Sequence, residues 1–238
     1  MKTGIQRAFA PFKVLLPEYA WRPIRAVATA LTTPVVFSQW SGHFRSSLRE
    51  EAVSRRGEPL PWYSYPCIHL LMHRDFAGRS VLEFGGGQST LWWAARAERV
   101  VTFEGDVAWH ARLAKVMPEN VELHLISSAD RVTCLAEVTR VLDRLPRPSF
   151  DVAVIDGDFR EDVFEPAIRH LSEDGALICD DAESYGFFEA TRGLDIQRAD
   201  FFGHAPGVVL PRCTSVFFHR RCFLFDAGNP IPDLAKAL

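Results

Sequence analysis

The sequence has little of what marks several large protein classes. Its five cysteines are odd in number and include no C-x-x-C pair, so it offers neither a paired disulfide framework nor a zinc-ribbon spacing. Positive charge is not in excess: 27 Lys and Arg against 30 Asp and Glu give a net charge of −3, which provides no basic field for phosphate backbones. Its densest basic runs are only pairs, Arg55-Arg56 and Arg220-Arg221. No apolar run is long enough to cross a bilayer, since Ile24 to Phe37 is broken by Arg25, Thr29, Thr32, Thr33 and Pro34. Lys2 and Arg7 imitate the basic start of a secretory signal, but Pro11 and Pro17 interrupt the apolar stretch and no small-residue cleavage site follows. Glycine and proline, 15 of each in 238 residues, are too few for a collagen-like or low-complexity chain, and the lack of a fixed period excludes a solenoid.

These absences leave a globular α/β chain in a reducing, cytoplasmic setting, without nucleic acid as partner and without expected membrane contact. Cys134 and Cys179 lie in apolar runs, where a thiol behaves as a small hydrophobe. The length suits one sizeable domain plus an extension. Residues 1–60, with prolines at 11, 17, 23, 34 and 59, read as an irregular extension holding one or two short helices that pack on the domain 61–238. A homo-oligomer is compatible with this organisation.

From Ser80 the pattern becomes regular. Apolar runs at Ser80–Phe84, Val100–Glu104, Val121–Ile126, Asp151–Ile155 and Ala176–Cys179 alternate with helix-like stretches at Leu91–Ala97, Ala108–Val116, Val132–Leu142 and Asp162–Leu171. This alternation predicts a Rossmann-like, doubly wound, mostly parallel sheet with helices on both faces. A further helix is expected over Glu183–Arg192, stopped by Gly193. The runs Ile196–Phe202 and Thr214–Phe225 then follow with only a turn-rich stretch between them, so they must pair as an antiparallel hairpin.

The strongest local signal is Val81-Leu82-Glu83-Phe84-Gly85-Gly86-Gly87-Gln88-Ser89-Thr90, a strand that runs into a glycine turn with Ser89 or Thr90 able to cap the next helix. A dinucleotide fingerprint would require glycine where Thr90 stands. Glu83, inside the strand, suits a ligand with an ammonium group better than a pyrophosphate. Glu104 ends the next strand 21 residues later, near the spacing at which an acid accepts both ribose hydroxyls of a nucleoside.

Glu83 to Thr90, followed by Phe103-Glu104-Gly105-Asp106, resembles the first two motifs of class I S-adenosylmethionine-dependent methyltransferases. Phe150 to Asp158 and Leu171 to Asp181 are similar to the fourth- and fifth-strand motifs of the same family, here its small bacterial O-methyltransferase-like branch. The resemblance covers roughly residues 60–225 and implies a site. Glu83 would hold the ammonium group of S-adenosylmethionine, directly or through water. Gly85 and Gly87 would let backbone pass the methionine part, with Ser89 beside them. Glu104 would bind the ribose, and Ser128 and Ala129 would flank adenine. The extra glycine at Gly86 departs from the pattern.

Asp156, Asp180 and Asp181 form a second constellation at neighbouring strand ends, where open α/β sheets bind ligands. Three close carboxylates need a proton or a cation, and hard oxygen ligands suit Mg²⁺ or Ca²⁺. Metal-dependent catechol-type relatives carry an Asp-Asn pair where Asp180-Asp181 stands, so a metal at Asp156, Asp180 and Asp181 is the disfavoured alternative. Asp156 or Asp181 is then the expected base, with His204 of the terminal loop as a further candidate. Arg160 would steady the acids or an anionic substrate. The rings of Trp62, Tyr63 and Tyr65 would cover a ligand or fill the core. The expected activity is methyl transfer from S-adenosylmethionine to oxygen of a small-molecule or saccharide acceptor (EC 2.1.1.-). The alternatives are an NAD-linked oxidoreductase and a non-catalytic partner-binding protein of the same fold.

Overall fold

The computed structural model describes residues 17–231. The expectations on Lys2, Arg7 and Pro11 lie outside these residues. Among these residues the first helices are α1 (Glu18–Trp40) and α2 (His43–Arg49), followed by α3 (Tyr65–Leu71). Alternation then begins: β1 (Ser80–Phe84), α4 (Gln88–Ala94), β2 (Arg99–Glu104), α5 (Val107–Leu113), β3 (Val121–Leu125), α6 (Arg131–Leu142), β4 (Phe150–Ile155), α7 (Arg160–Arg169) and β5 (Leu171–Cys179). Two short helices, α8 (Ala182–Tyr185) and α9 (Phe188–Thr191), lead into β6 (Gln197–Gly203) and β7 (Arg212–Phe218), and a 3₁₀ turn covers Phe223–Phe225.

The seven strands form one sheet in the order β3-β2-β1-β4-β5-β7-β6, with β7 antiparallel to both neighbours and the other pairs parallel. The expected mostly parallel sheet with its terminal antiparallel hairpin is therefore present. Its physical basis is the connection length: the β6–β7 link is too short to carry a crossover helix, so the chain must turn back on itself.

Two apolar layers cover the sheet. Along β1, Val81 joins one layer with Trp92, Trp93, Ile68 and Leu71, whereas Leu82 and Phe84 join the other with Phe103, Val138 and Phe164. This period-two alternation, buried on both sides, is why β1, β2 and β4 read as nearly continuous apolar runs. Cys134 and Cys179 are buried in the second layer, and all five thiols are free. The first layer reaches upstream to Ala52 and Leu60, so the chain just before residue 61 is part of the core.

Several boundaries differ from the expectation. The helix expected over 183–192 is broken at Gly186 (φ 75°) and Phe187 (φ 55°), which end one short helix and start the next. The last strand stops at Phe218, and Phe225 turns back to pack on Phe218 and on Phe201, with ring centroids 5.1 and 6.5 Å apart. The N-terminal region departs furthest. Instead of short helices, α1 runs for 23 residues through Pro23 and Pro34. Each proline removes a rung of the hydrogen-bond ladder, while alanines at 20, 26, 28 and 30 favour continuation. Nor does α1 pack along the domain: Trp21 is its single buried residue, and Phe37 near its end meets Tyr65 at 5.4 Å. Among the described residues, no helix is long and apolar enough to cross a membrane.

Candidate active site

The order of strands reverses between β1 and β4, and there the chain opens a cleft of about 630 Å³. Its floor is the turn after β1. Gly85 has φ +92°, and a Cβ there would lie 2.7 Å from the Gly157 nitrogen, so the ends of β1 and β4 can approach only with glycine at this position. The Gly85 nitrogen donates to the Phe103 carbonyl at 2.8 Å, and the Asp156 nitrogen donates to the Phe84 carbonyl at 2.8 Å, which locks the turn to both neighbouring strands.

Gly87 is different. A Cβ at this position would meet no atom of the protein within 4 Å, although Gly87 lines the cleft. Its backbone is extended, a conformation open to any residue. We therefore expect Gly87→Ala to leave thermal unfolding unchanged and to weaken binding of a ligand seated on the turn by tenfold or more, about 1.4 kcal/mol. Unchanged affinity in a titration of the folded variant would show that no ligand passes there.

Glu104 closes the adjacent side. Its Oε2 accepts from the Gly86 nitrogen at 2.9 Å and its Oε1 from the Asp106 nitrogen at 2.7 Å, leaving lone pairs on both oxygens for donors in the cleft. Asp106 in turn caps α5, accepting from the Trp109 nitrogen at 2.7 Å, and Trp109 Nε1 donates to the Gly86 carbonyl at 2.8 Å. Trp109 thus becomes a wall of the cleft. The sequence did not single it out, although its place one turn into the helix after an acid-ended strand is a usable signal.

Glu83 lies beneath the turn and is fully buried. Its Oε2 accepts from Thr90 Oγ1 at 2.5 Å and from Thr102 Oγ1 at 3.0 Å, whereas Oε1 has no partner. Burial pushes this carboxyl up to about 7, against the pull of the Ser89, Thr90 and Thr102 hydroxyls. Thr90, standing where a dinucleotide fingerprint needs glycine, also accepts from the Gly87 nitrogen at 2.9 Å and so links turn, strand and helix.

The acids separate into distinct roles. Asp156 lines the cleft with 23% of its side chain exposed. The buried strand ends around it raise its carboxyl to about 6; Arg160 opposes the rise and Asp181 adds to it. Asp180 instead is buried and accepts from Thr214 Oγ1 at 2.6 Å; burial first, and then Asp156, pushes it well above the usual carboxylate range. Asp181 pairs with Arg212 and stands 3.7 Å from Arg160.

Arg160 is the centre of this group. It pairs with Asp156 at 3.0 Å, donates to the Asp180 carbonyl at 2.7 Å and lies 4.7 Å over the Tyr185 ring. The guanidinium groups of Arg160 and Arg212 therefore sit where the disfavoured reading placed a metal. Among the described residues, no group of three potential ligands is arranged to hold one. Arg212 escaped the sequence reading because its partner lies 31 positions away.

Of the other predicted site residues, Ser89 and Ser128 line the cleft, and Ala129 does not. His204 also lies off the cleft: it is exposed, its ring sits 6.0 Å from Phe37 and 6.3 Å from His43, and its carbonyl accepts from the Tyr65 nitrogen. The aromatic run before α3 divides. Tyr63 and Tyr65 are buried in the core, while Trp62 lines the cleft and donates to the Pro206 carbonyl at 2.8 Å.

No family model matches this chain, and no curated protein matches it. Solved structures do. The O-methyltransferase TomG from Streptomyces achromogenes, involved in tomaymycin synthesis and determined in complex with SAM, is 19% identical over 77% of this chain and 88% of its own, with a TM-score of 0.50. The O-methyltransferase from Bacillus cereus in complex with SAH is 15% identical over 75% of this chain and 90% of its own, with a TM-score of 0.48. An rRNA methylase from Streptococcus thermophilus is 16% identical over 66% and 96%, with a TM-score of 0.45. The chain has the fold of the class I S-adenosylmethionine-dependent methyltransferases. At such identities the likeness is one of fold, and fold alone does not choose an acceptor.

Proposed function

We propose that the protein is a methyltransferase that uses S-adenosylmethionine and methylates oxygen of a small-molecule or saccharide acceptor. The observation that carries this reading is the pairing of Glu104 with the glycine turn. A carboxylate held by two backbone amides, at the end of the strand next to the turn, offers two acceptors to a ribose diol. Two further features fit the same ligand. The unpartnered Oε1 of Glu83 suits an ammonium group, directly or through water, and the open space over Gly87 suits the methionine chain. Ser128 would flank the adenine.

When bound, S-adenosylmethionine supplies an electrophilic methyl group on a sulfonium centre. The protein's own part is to align the acceptor and to remove its hydroxyl proton. We assign that step to Asp156, because it lines the cleft and its carboxyl is raised to about 6, whereas Asp180 and Asp181 are engaged by Thr214 and by Arg212. Arg160 acts as a positioning residue for Asp156. The chain before residue 61 also reaches the cleft, since Glu50 and Glu51 are among its lining residues.

The test is calorimetry. S-adenosylmethionine is expected to bind in the micromolar range, roughly −8 kcal/mol. Glu104→Ala is expected to lose at least tenfold, and equal affinities would remove Glu104 from the site.

A further inference from the structure

Helix α1 has no interior to face. Ile24, Val27, Leu31 and Val35 recur at spacings of three and four residues and form one stripe, and they are 46%, 59%, 68% and 56% exposed. Pro23 and Pro34 fall on the same side of the helix, three turns apart. Arg22, Arg25, Thr29 and Thr32 occupy the opposite side. The short helix α2 that packs on α1 adds exposed Phe44 and Leu48. A soluble monomer rarely leaves so continuous an apolar surface bare.

Charge says what covers it. Residues 1–49 contain seven basic side chains (Lys2, Arg7, Lys13, Arg22, Arg25, Arg45 and Arg49) and one acid, Glu18, a net of +6. Residues 50–238 contain 20 basic and 29 acidic side chains, a net of −9. Arg22, Arg25, Arg45 and Arg49 are all exposed, and none pairs with a described acid. A strongly acidic body thus carries one basic, apolar-striped end. At 23 residues, interrupted by Arg22, Arg25 and threonines, α1 does not meet the demands of a bilayer span, but it has the pattern of a helix that lies in the plane of a membrane surface.

We propose that α1, with α2, docks this protein on a bilayer whose surface carries anionic headgroups. The stripe from Ile24 to Val35 enters the boundary between headgroups and acyl chains, and the arginines of the polar side, with those of α2, meet the field of the anionic headgroups. A second copy of the chain is the competing occupant. It is less well matched, because self-association would bring two basic ends together at the same interface.

The test uses the full chain and sedimentation with large unilamellar vesicles of phosphatidylcholine, with or without about one third phosphatidylserine. Wild type is expected to sediment with the anionic vesicles at low ionic strength, and to be released as salt shortens the Debye length. The double substitution Val27→Glu with Leu31→Glu is expected to weaken the partition by at least about tenfold. Arg22→Ala with Arg25→Ala should reduce it by roughly tenfold or more on anionic vesicles and leave neutral ones unaffected. Far-UV dichroism of each variant, unchanged from wild type, confirms that α1 still forms. Failure of wild type to sediment with anionic vesicles overturns the proposal. A dimer in sedimentation velocity that Val27→Glu with Leu31→Glu dissociates, together with no vesicle binding, assigns the face to a second copy instead.

Discussion

Replacing Asp156 by Asn is expected to lower methyl transfer by roughly 10² to 10⁴-fold, the usual worth of a positioned general base. Labelled S-adenosylmethionine incubated with an extract that contains the acceptor provides the readout. The carboxyl of Asp156 is raised to about 6, chiefly by burial at the ends of β1 and β4 and against the pull of Arg160. Only the ionised form takes a proton, so wild-type activity should rise with pH through about 6 and then level. Asn carries no titrating group, and its residual activity should be flat across that range. A structural role for Asp156 would not produce a limb that vanishes with the carboxyl. Full activity in Asp156→Asn, or a wild-type profile without a limb near 6, would take Asp156 out of the chemistry. Arg160→Lys makes a useful companion. Lysine keeps the charge but loses the planar fork that holds Asp156 and the Asp180 carbonyl together, so the limb should move while the maximum rate falls.

The second large effect concerns Glu83, where stability and binding are expected to move in opposite directions. The unfolded chain ionises this carboxyl near 4.5, and the folded protein near 7, so folding favours the protonated form. Its contribution to stability is therefore complete below about 4.5 and is lost as pH rises through about 7. That displacement corresponds to roughly 3 kcal/mol, an upper figure because the interior relaxes around a buried charge. Glu83→Gln removes the ionisation. Without ligand, the variant should match wild type near pH 4.5 and exceed its stability by about 1 to 3 kcal/mol at pH 8, read from denaturant midpoints.

Binding should show the reverse. The free Oε1 of Glu83 can stabilise a cationic group beside the turn only when it is ionised, so wild-type affinity for S-adenosylmethionine should strengthen from pH 6 to pH 8. Glu83→Gln should weaken it by more than tenfold at pH 8. A variant that is less stable than wild type at pH 8, or one that binds equally well, would contradict the assignment. Such an opposition is a general mark of functional sites: the group that binds the ligand is the one the fold accommodates least well on its own.

Much of this site could be read along the chain. Gly85, Gly87 and Glu104 end or follow strands that local pattern already delimits, and topology carries them to the cleft at the carboxyl edge of the sheet, whereas Glu83 stays buried inside β1 beneath the turn. The acids after β4 and β5 were also visible as a group. Their division of labour was not. Asp156 and Asp181 look alike in sequence, and what separates them is Arg212, which arrives from the antiparallel strand β7. Trp62 and Tyr63 show the same limit. They are adjacent and of one chemical type, yet the bend they form leaves one lining the cleft and the other buried in the core.

The sequence by itself determined the alternating elements, the parallel order that follows from helical crossovers, the final hairpin and the glycine turn. Each of these depends on interactions within a few residues: period-two and period-3.6 apolar patterns, capping by Asp106 and Asp130, and the backbone freedom of Gly85. Tertiary structure decided which carboxyl keeps access to the cleft, that Arg160 and Arg212 both reach Asp181, that His204 turns towards His43, and that α1 leaves its apolar stripe uncovered. Apart from the local pair of Arg160 with Asp156, those outcomes depend on partners tens to more than a hundred residues away in the chain. Burial, charge compensation and exposure are sums over such neighbours, and no local pattern contains them.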